Sequence, residues 1–346
     1  MSELVINGRF SLQEMTGIQR VGQAITARLR TPHVIIGPKS SGGGMAGHAW
    51  EQTILPLKAG GRLIWSSGNM GPIMAGSQIV TIHDVAAIDH PEWFSPNFVR
   101  LYGSLWPVLA RRAKQIVTVS HFSKERISEV LNIPRSKIEV VWNGVSESFK
   151  PASRPAIESA TASLGLAGRP YFATLSTIEP RKNLKLVMQA WALAKPLLPP
   201  DMVLLVIGSI GSEAVFGTPA MHEWVGTEGV FFSGYVTEEM LPALLSGAHG
   251  VLYPSTYEGF GLPVLEAMAC GVPAVTTRLT SLPEVGGEAA LYVDAEDPRD
   301  LAKMLINLVS SENLRCERSA MGLARARLFT WDQAAAKMDA IFAKYL

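Results

Sequence analysis

The sequence has few cysteines, no long apolar run and no glycine-rich dinucleotide motif. Cys270 and Cys316 are its two cysteines, which is too few for a disulfide framework or a zinc site with four clustered ligands. No stretch approaches the roughly 18 unbroken apolar residues of a membrane-spanning helix. The start carries no basic and then apolar leader, so we expect a cytoplasmic protein. The opening Val5–Gly17 contains no Gly-x-Gly-x-x-Gly, which argues against a nicotinamide-dependent dehydrogenase.

The composition is that of an ordinary globular protein, with 47% hydrophobic and 18% charged residues. At 346 residues the chain exceeds the size of a single core, so we expect two domains with a cleft between them. Residues 1–150 hold 16 Lys and Arg against 10 Asp and Glu, whereas residues 151–346 hold 15 against 20. The basic first part would suit a membrane surface or a lipid pyrophosphate, but it is far less basic than a nucleic-acid-binding protein.

Short β-branched apolar runs alternate with longer amphipathic segments. The runs are Leu4–Ile6, Val34–Ile36, Ile79–Ile82, Ile116–Val119, Ile138–Val141, Tyr171–Leu175, Val203–Ile207, Val230–Phe232, Gly250–Tyr253 and Ala274–Thr276. This alternation predicts an α/β protein with parallel sheets. The pattern lapses after Val145, which predicts domains over 1–150 and 151–328. Residues 329–346 have apolar side chains at helical spacing, so we expect a terminal helix that packs back toward the N-terminal domain.

Two segments of the first domain allow more than one interpretation. The glycine-rich stretch Ser40–His48 predicts a mobile loop, which could cover an acceptor. The segment Asn97–Gln115 has leucines at helical spacing with basic residues nearby, and it could lie on a membrane or pack on the first domain. Pro107 argues against one long helix there.

The most informative stretch runs from Tyr253 to Val275 and reads YPSTYEGFGLPVLEAMACGVPAV. Gly259 and Gly261 allow close backbone approach to a ligand. Pro263 is expected at the first position of a helix, whose free N–H groups and positive dipole end would then face the glycine loop. Such a helix start is a natural site for a phosphate group.

These residues resemble the donor-site signature of family 4 glycosyltransferases, which have the GT-B fold of two Rossmann-like domains with parallel sheets facing a central cleft. Glu258 and Glu266, separated by seven residues, carry the resemblance. TIEPRKN (Thr177–Asn183) resembles the family's phosphate-binding turn, and TIHD (Thr81–Asp84) its cleft-facing histidine loop. The resemblance runs from about residue 80 to the end of the sequence.

The resemblance implies roles for residues of the second domain. Glu266 would accept hydrogen bonds from the donor ribose, and Glu258 would contact the transferred sugar. The segment Gly259, Phe260, Gly261 and Leu262 would lie against the donor. Arg181 and Lys182 would stabilise the charge that develops on the leaving diphosphate. Many relatives carry a further arginine where this chain has Ser176, so the phosphate contact would be weaker here.

In the first domain, the resemblance places His83 against the transferred sugar and Gly17, in Thr16–Gly17–Ile18, against the donor phosphates. His83 follows a predicted strand, at the strand end where α/β sheets bind ligands. The sequence contains no Asp-x-Asp, the pattern by which another glycosyltransferase fold holds a divalent ion. We therefore expect neither a metal nor a cofactor besides the nucleotide diphosphate sugar.

The sequence thus predicts a retaining glycosyltransferase of polysaccharide or lipopolysaccharide synthesis. The TIEPRKN turn resembles that of bacterial mannosyltransferases of O-antigen assembly that use GDP-mannose, although UDP- and dTDP-sugars remain open. The acceptor would be a saccharide or a lipid-linked saccharide, with possible peripheral contact at the inner face of the cytoplasmic membrane and no nucleic acid partner. A nucleotide-sugar isomerase of the same fold and a two-domain sugar-binding protein are the alternatives.

Overall fold

The computed structural model describes residues 3–12, 17–38, 44–175, 179–208, 224 and 226–346. The chain forms two compact units. The first contains residues 1–91, 96–144 and 329–346, and the second contains residues 92–95 and 145–328. Each unit is built on its own parallel sheet.

The first unit has a sheet of six described strands in the order β2-β1-β3-β4-β5-β6, with every pair parallel. The strands are β1 Leu4–Asn7, β2 His33–Ile36, β3 Ile64–Ser66, β4 Gln78–Thr81, β5 Gln115–Thr118 and β6 Ile138–Val140. From β1 the chain proceeds to β2 on one side and later to β3 on the other. The order of the strands therefore reverses between β1 and β3, which is a topological switch point.

The second unit has a sheet of six described strands in the order β12-β11-β10-β7-β8-β9, again all parallel. The strands are β7 Tyr171–Leu175, β8 Val203–Ile207, β9 Val230–Gly234, β10 Val251–Tyr253, β11 Ala274–Thr276 and β12 Leu291–Tyr292. The switch point of this sheet lies between β7 and β10. The predicted α/β class with parallel sheets is confirmed.

Helices connect the strands, as parallel pairing requires. In the first unit they are α1 Gly17–Thr26, α2 Gly44–Ala59, α3 Ala86–Asp89, α4 Pro96–Arg112 and α5 His121–Leu131. In the second unit they are α6 Arg154–Ser163, α7 Leu184–Ala194, α8 Leu241–Ser246, α9 Leu262–Ala269, α10 Leu282–Gly286, α11 Pro298–Ser310 and α12 Glu312–Ala326. The last helix, α13 Trp331–Phe342, belongs to the first unit.

Helix α13 completes the core of the first unit. Trp331, Met338 and Phe342 are buried in one apolar cluster with residues of β1, β3 and α1. The ring of Phe342 lies 5.6 Å from that of Trp65. The chain also approaches itself closely here, because a Cβ added to Gly144 would lie 2.2 Å from the Trp331 nitrogen. Glycine is therefore required at position 144.

Two local expectations from the sequence are wrong. Residues 44–48 of the glycine-rich stretch open helix α2 instead of forming a loop, and residues 39–43 lie outside the described part of the chain. Helix α4 continues through Pro107. Because Trp106, Leu109 and Ala110 are buried on one face of α4, packing outweighs the backbone hydrogen bond that proline removes.

Among the described residues, no helix has both the length and the apolar character required to cross a bilayer. In the same part of the chain, no three His, Cys, Asp or Glu side chains are grouped so that they could hold a metal ion.

Candidate active site

The candidate site of the second unit lies at the switch point of its sheet. Arg181 and Lys182 follow β7, and Tyr253 ends β10, the strand paired with β7. Ligands of open α/β sheets bind outside the carboxyl ends of the strands at such a point. The fold therefore joins segments that are more than 70 residues apart in the sequence.

The cationic turn is a short 3₁₀ helix, Pro180–Lys182, followed by Asn183 in the left-handed conformation at φ 55°. The Arg181 carbonyl accepts hydrogen bonds from the Thr256 backbone N–H (2.8 Å) and from the Ser255 hydroxyl (2.8 Å). The Asn183 amide donates to the Ala295 carbonyl at 2.8 Å. These bonds fix the turn against the loops that follow β10 and β12.

Two cations and two carboxylates meet at this turn. Lys182 Nζ lies 2.7 Å from Glu258 Oε1, and Arg181 Nε lies 2.6 Å from Glu179 Oε2. The guanidinium of Arg181 also reaches Glu258 Oε2 at 3.5 Å. Glu179 and Glu258 are both buried. The charges of the group therefore balance without a ligand.

The two oxygens of Glu258 have different surroundings. Oε1 accepts hydrogen bonds from Lys182 Nζ (2.7 Å), the Tyr253 hydroxyl (2.7 Å) and the Ser255 hydroxyl (2.9 Å). Among the described residues, Oε2 has only the long contact with Arg181. Oε1 is thus anchored by the protein, whereas Oε2 has capacity left to accept a hydrogen bond from a ligand.

The surroundings of Glu258 and Tyr253 shift the pKa of both side chains. Burial opposes ionisation of Glu258, but the charges of Lys182 and Arg181 and the hydrogen bonds from Lys182 and Tyr253 lower its pKa to about 2. Burial, and then the charge of Glu258, raise the pKa of Tyr253 well above its usual value. Lys182 also contacts the Tyr253 hydroxyl. At neutral pH, Glu258 is therefore a carboxylate and Tyr253 a hydrogen-bond donor to it.

The loop after β11 holds the backbone of Glu258. The Glu258 N–H donates to the Thr280 hydroxyl at 3.1 Å, and the Ser281 hydroxyl donates to the Glu258 carbonyl at 2.9 Å. Thr280 has φ 55°, which is unusual for a β-branched residue and costs about 1–3 kcal/mol. The backbone is strained at the point where it fixes this carboxylate.

Helix α9 begins directly after the glycine loop, and Pro263 is its second residue instead of the expected first. Gly261 caps it at φ 99°, and a Cβ there would lie 2.8 Å from Leu282 Cδ2. Glu266 is buried in the second turn of α9. Phe260 is buried as well. The N-terminus of α9, with its positive dipole end, thus lies next to the loop that carries Glu258, as an anion site requires.

His83 lies in the first unit, just beyond β4. Its backbone N–H donates to Asn69 Oδ1 at 2.8 Å, and its Nε2 donates to the Ser67 carbonyl at 2.9 Å. Burial lowers the pKa of His83, although the Ser67 carbonyl and the charge of Asp84 act in the opposite direction. A neutral ring that donates from Nε2 keeps Nδ1 as a hydrogen-bond acceptor.

The structure brings together some of the predicted site residues of the second unit. Arg181, Lys182 and Glu258 are in contact, and the glycine loop follows Glu258 directly. Gly17 is the first residue of α1, in the first unit. Thr16, Ser176 and Thr177 lie outside the described residues.

Three contributors were missed by the sequence analysis: Glu179, Tyr253 and Ser255. Tyr253 and Ser255 are polar residues at the end of an apolar strand, and Glu179 immediately precedes the cationic turn. Their position inside the two recognised motifs was the available signal.

Two Rossmann-like units, one with a cationic turn and an anchored carboxylate at its switch point, define an α/β protein with a candidate ligand site at the carboxyl ends of its strands. Residues 157–322 match the family model for glycosyl transferases group 1, and residues 73–149 match the model for glycosyltransferase family 4. The chain belongs to this family of glycosyltransferases, and the predicted family is confirmed.

Individual relatives agree with this assignment. The chain is 33% identical over 254 residues to O-antigen chain mannosyltransferase B of Escherichia coli, covering 73% of this chain and 67% of that protein. It is 27% identical over 259 residues to the serotype-specific mannosyltransferase WbdA of E. coli, covering 73% of this chain but about a third (32%) of that longer protein. The crystal structure of Anabaena HepE in complex with UDP and glucose matches with a TM-score of 0.74 at 17% identity, covering 99% of both chains. The shared fold is GT-B.

Proposed function

We propose that this glycosyltransferase moves mannose from GDP-mannose, with retention of configuration, to a saccharide or lipid-linked saccharide acceptor in polysaccharide or lipopolysaccharide synthesis. The observation that carries the proposal is the contact of Lys182 and Arg181 with the anchored carboxylate of Glu258 at a sheet switch point. The choice of mannose is supported by the E. coli relatives, which are mannosyltransferases by name.

In this proposal the donor diphosphate lies between the cationic turn and the N-terminus of α9. Arg181 and Lys182 supply positive charge, and the positive dipole end of α9 adds to it. Glu266 accepts hydrogen bonds from the ribose hydroxyls. Oε2 of Glu258 accepts a hydrogen bond from a hydroxyl of the transferred sugar, while Oε1 stays anchored.

The protonation state of Glu258 decides which chemistry it can perform. With a pKa of about 2, Glu258 holds no proton to donate at neutral pH, so it does not act as a general acid. We infer a front-face reaction in which the bond from C1 to the diphosphate oxygen breaks while the acceptor oxygen bonds to C1 on the same face. The acceptor proton passes to the departing diphosphate.

Fixed cations take the part that a divalent ion plays in other sugar transferases. The growing negative charge of the leaving diphosphate is stabilised by Lys182 and Arg181, which need no reorganisation during the reaction. We propose that the enzyme uses no cofactor besides its donor. The basic first part of the chain is consistent with a peripheral position at the inner face of the cytoplasmic membrane, which we also propose.

The base of the donor is tested by a thermal-shift panel of GDP, UDP, dTDP and ADP. A nucleotide that binds only the folded protein raises the melting temperature by mass action. We expect the largest rise with GDP. A larger rise with UDP or dTDP would refute GDP-mannose as the donor, and no rise with any of the four would refute a nucleotide site.

A further inference from the structure

Four hydroxyl side chains line the end of β11 and the loop that follows it. They are Thr276, Thr277, Thr280 and Ser281, here called the hydroxyl row. Strand β11 pairs with β10 so that Thr276 lies beside Tyr253. The hydroxyl row therefore lies alongside the segment that carries Tyr253, Ser255 and Glu258.

The first two members of the hydroxyl row hold the residues that anchor Glu258 Oε1. The Thr276 hydroxyl donates to the Tyr253 carbonyl at 2.8 Å, and the Thr277 hydroxyl donates to the Ser255 carbonyl at 2.7 Å. The hydroxyls of Tyr253 and Ser255 in turn lie 2.7 and 2.9 Å from Glu258 Oε1. Each of these anchors is thus tied to one threonine of the row.

The other two members hold Glu258 itself. The Thr280 hydroxyl accepts from the Glu258 N–H, and the Ser281 hydroxyl donates to the Glu258 carbonyl. In the described part of the chain, side chains rather than a neighbouring strand thus bind both polar groups of this peptide backbone. A strand would hold these groups whatever its side chains were, whereas the position of Glu258 depends on two hydroxyls.

Thr280 makes its contact from an unfavourable backbone conformation. Its φ of 55° lies in the left-handed region, which a β-branched residue rarely adopts and glycine adopts without strain. Glycine, however, has no side chain to bond to the Glu258 N–H. Strained residues of this kind collect at functional sites. The strain therefore points to a function of the Thr280 hydroxyl beyond stability.

Burial makes the contacts of the row sensitive to substitution. Thr276, Thr277 and Ser281 are fully buried, and Glu258 is buried as well. A buried N–H or carbonyl that loses its partner is costly, so the Glu258 backbone would move toward another partner. Such a movement displaces Oε2, the carboxylate oxygen with capacity left for a ligand.

We propose that the hydroxyl row is a set of positioning residues that orients Glu258 Oε2 toward the transferred sugar. This inference rests on the proposed transferase function, in which Oε2 accepts a hydrogen bond from that sugar. It assigns the row a part in turnover and none in binding the nucleoside diphosphate.

The test removes single hydroxyls of the row. Thr280→Val keeps a β-branched side chain of the same shape, and Thr280→Ser keeps the hydroxyl. Ser281→Ala is a second variant, which provides the test if the melting temperature shows that Thr280→Val does not fold. The control Thr161→Val removes a buried hydroxyl that donates to the Ile157 carbonyl at 2.9 Å in helix α6.

Hydrolysis of GDP-mannose, with water as the acceptor, gives kcat, and calorimetric titration with GDP gives the nucleotide affinity. We expect Thr280→Val and Ser281→Ala each to lower kcat about three- to tenfold, the effect of one lost hydrogen bond. GDP affinity should keep the wild-type value, because GDP lacks the sugar. Thr280→Ser and Thr161→Val should keep the wild-type kcat.

A Glu258→Ala background separates positioning from a structural role. Because Thr280 acts through Glu258, Thr280→Val should lower kcat no further in that background. A loss that persists there, or a loss of GDP affinity that matches the loss of kcat, would overturn the inference.

The inference would also be wrong if Thr280→Val and Thr280→Ser lowered kcat equally, or if Thr280→Val and Ser281→Ala both kept the wild-type kcat. A wild type that neither binds GDP nor hydrolyses GDP-mannose would instead overturn the proposed function, and the inference with it.

Discussion

Replacing Lys182 by methionine tests the electrostatic core of the proposed site. The change removes one cation but keeps an unbranched side chain of similar length. Glu258 would lose the 2.7 Å contact with Nζ while keeping its hydrogen bonds from Tyr253 and Ser255 and the longer contact with Arg181. The Glu258 carboxylate would then stay buried with one positive charge fewer beside it.

The size of the effect follows from that geometry. Removing one partner of a buried ion pair costs about 3–5 kcal/mol. Because Arg181, Tyr253 and Ser255 remain, we expect a smaller loss of stability, about 1–3 kcal/mol. The effect on catalysis should be larger, since removing one group that stabilises developing charge lowers kcat by about 10²–10³.

The assay compares Lys182→Met with Glu258→Gln and with the double variant, by kcat and by urea unfolding. The double variant removes both charges, so it should be more stable than the sum of the two single losses, by about 0.5–3 kcal/mol. Its kcat should stay low. Lys185→Met, an exposed lysine three residues further on, is the control. A Lys182→Met variant with wild-type kcat would refute the reasoning.

Three further predictions concern the same unit. Tyr253→Phe should lower kcat about three- to tenfold with little change in GDP affinity, because Oε1 of Glu258 loses one hydrogen bond. Steady-state kinetics and a GDP titration check this. A change in GDP affinity alone would contradict it. Gly261→Ala should lower both the free energy of unfolding and the GDP affinity, because its Cβ would meet Leu282. The control Gly165→Ala, also at positive φ but with open space around it, should lower the free energy of unfolding only. Equal GDP affinity of the two variants would contradict this prediction. The folded pKa of Glu258, about 2 against an ordinary 4.5, means that its stabilisation is complete above pH 4.5 and is lost as the pH falls toward 2. The shift corresponds to roughly 3 kcal/mol. The free energy of unfolding should therefore fall less steeply from pH 6 to pH 3 for Glu258→Gln than for the wild type. Parallel plots of unfolding free energy against pH would contradict the assigned pKa shift.

The sequence predicted most of the strands because parallel strands buried on both faces are short, apolar and β-branched. The runs Tyr171–Leu175 and Val203–Ile207 coincide with β7 and β8. Ile64–Ser66 and Leu291–Tyr292 were missed, since strands of three and two residues are too short to show a pattern. Residues 44–48 were taken for a loop because their glycines lower helix propensity, although packing of α2 places them in a helix.

The candidate site was predictable as a set of residues but not as a set of contacts. Motifs identified Lys182 and Glu258 separately. Their contact depends on β7 pairing with β10, and strand order across more than 70 residues is not encoded in any local pattern. The anchoring of Glu258 Oε1 by Tyr253 and Ser255 was invisible for the same reason. The buried ion pair of Glu51 with Arg9 was missed because an isolated glutamate in a helix is usually a solvated residue.

The two sheets share one principle, which is that polar side chains collect where the strand order reverses. In the second unit two cations pair with two carboxylates, and in the first Arg9 pairs with Glu51.

The central claim is that the turn at Arg181 and Lys182 binds the diphosphate of the donor. Calorimetric titration of wild type and Lys182→Met with GDP, and with guanosine as a ligand that lacks the diphosphate, tests it most directly. The account predicts that the variant binds GDP at least tenfold more weakly while guanosine affinity is unchanged. Equal GDP affinity of the two proteins, or an equal loss for guanosine, would contradict it.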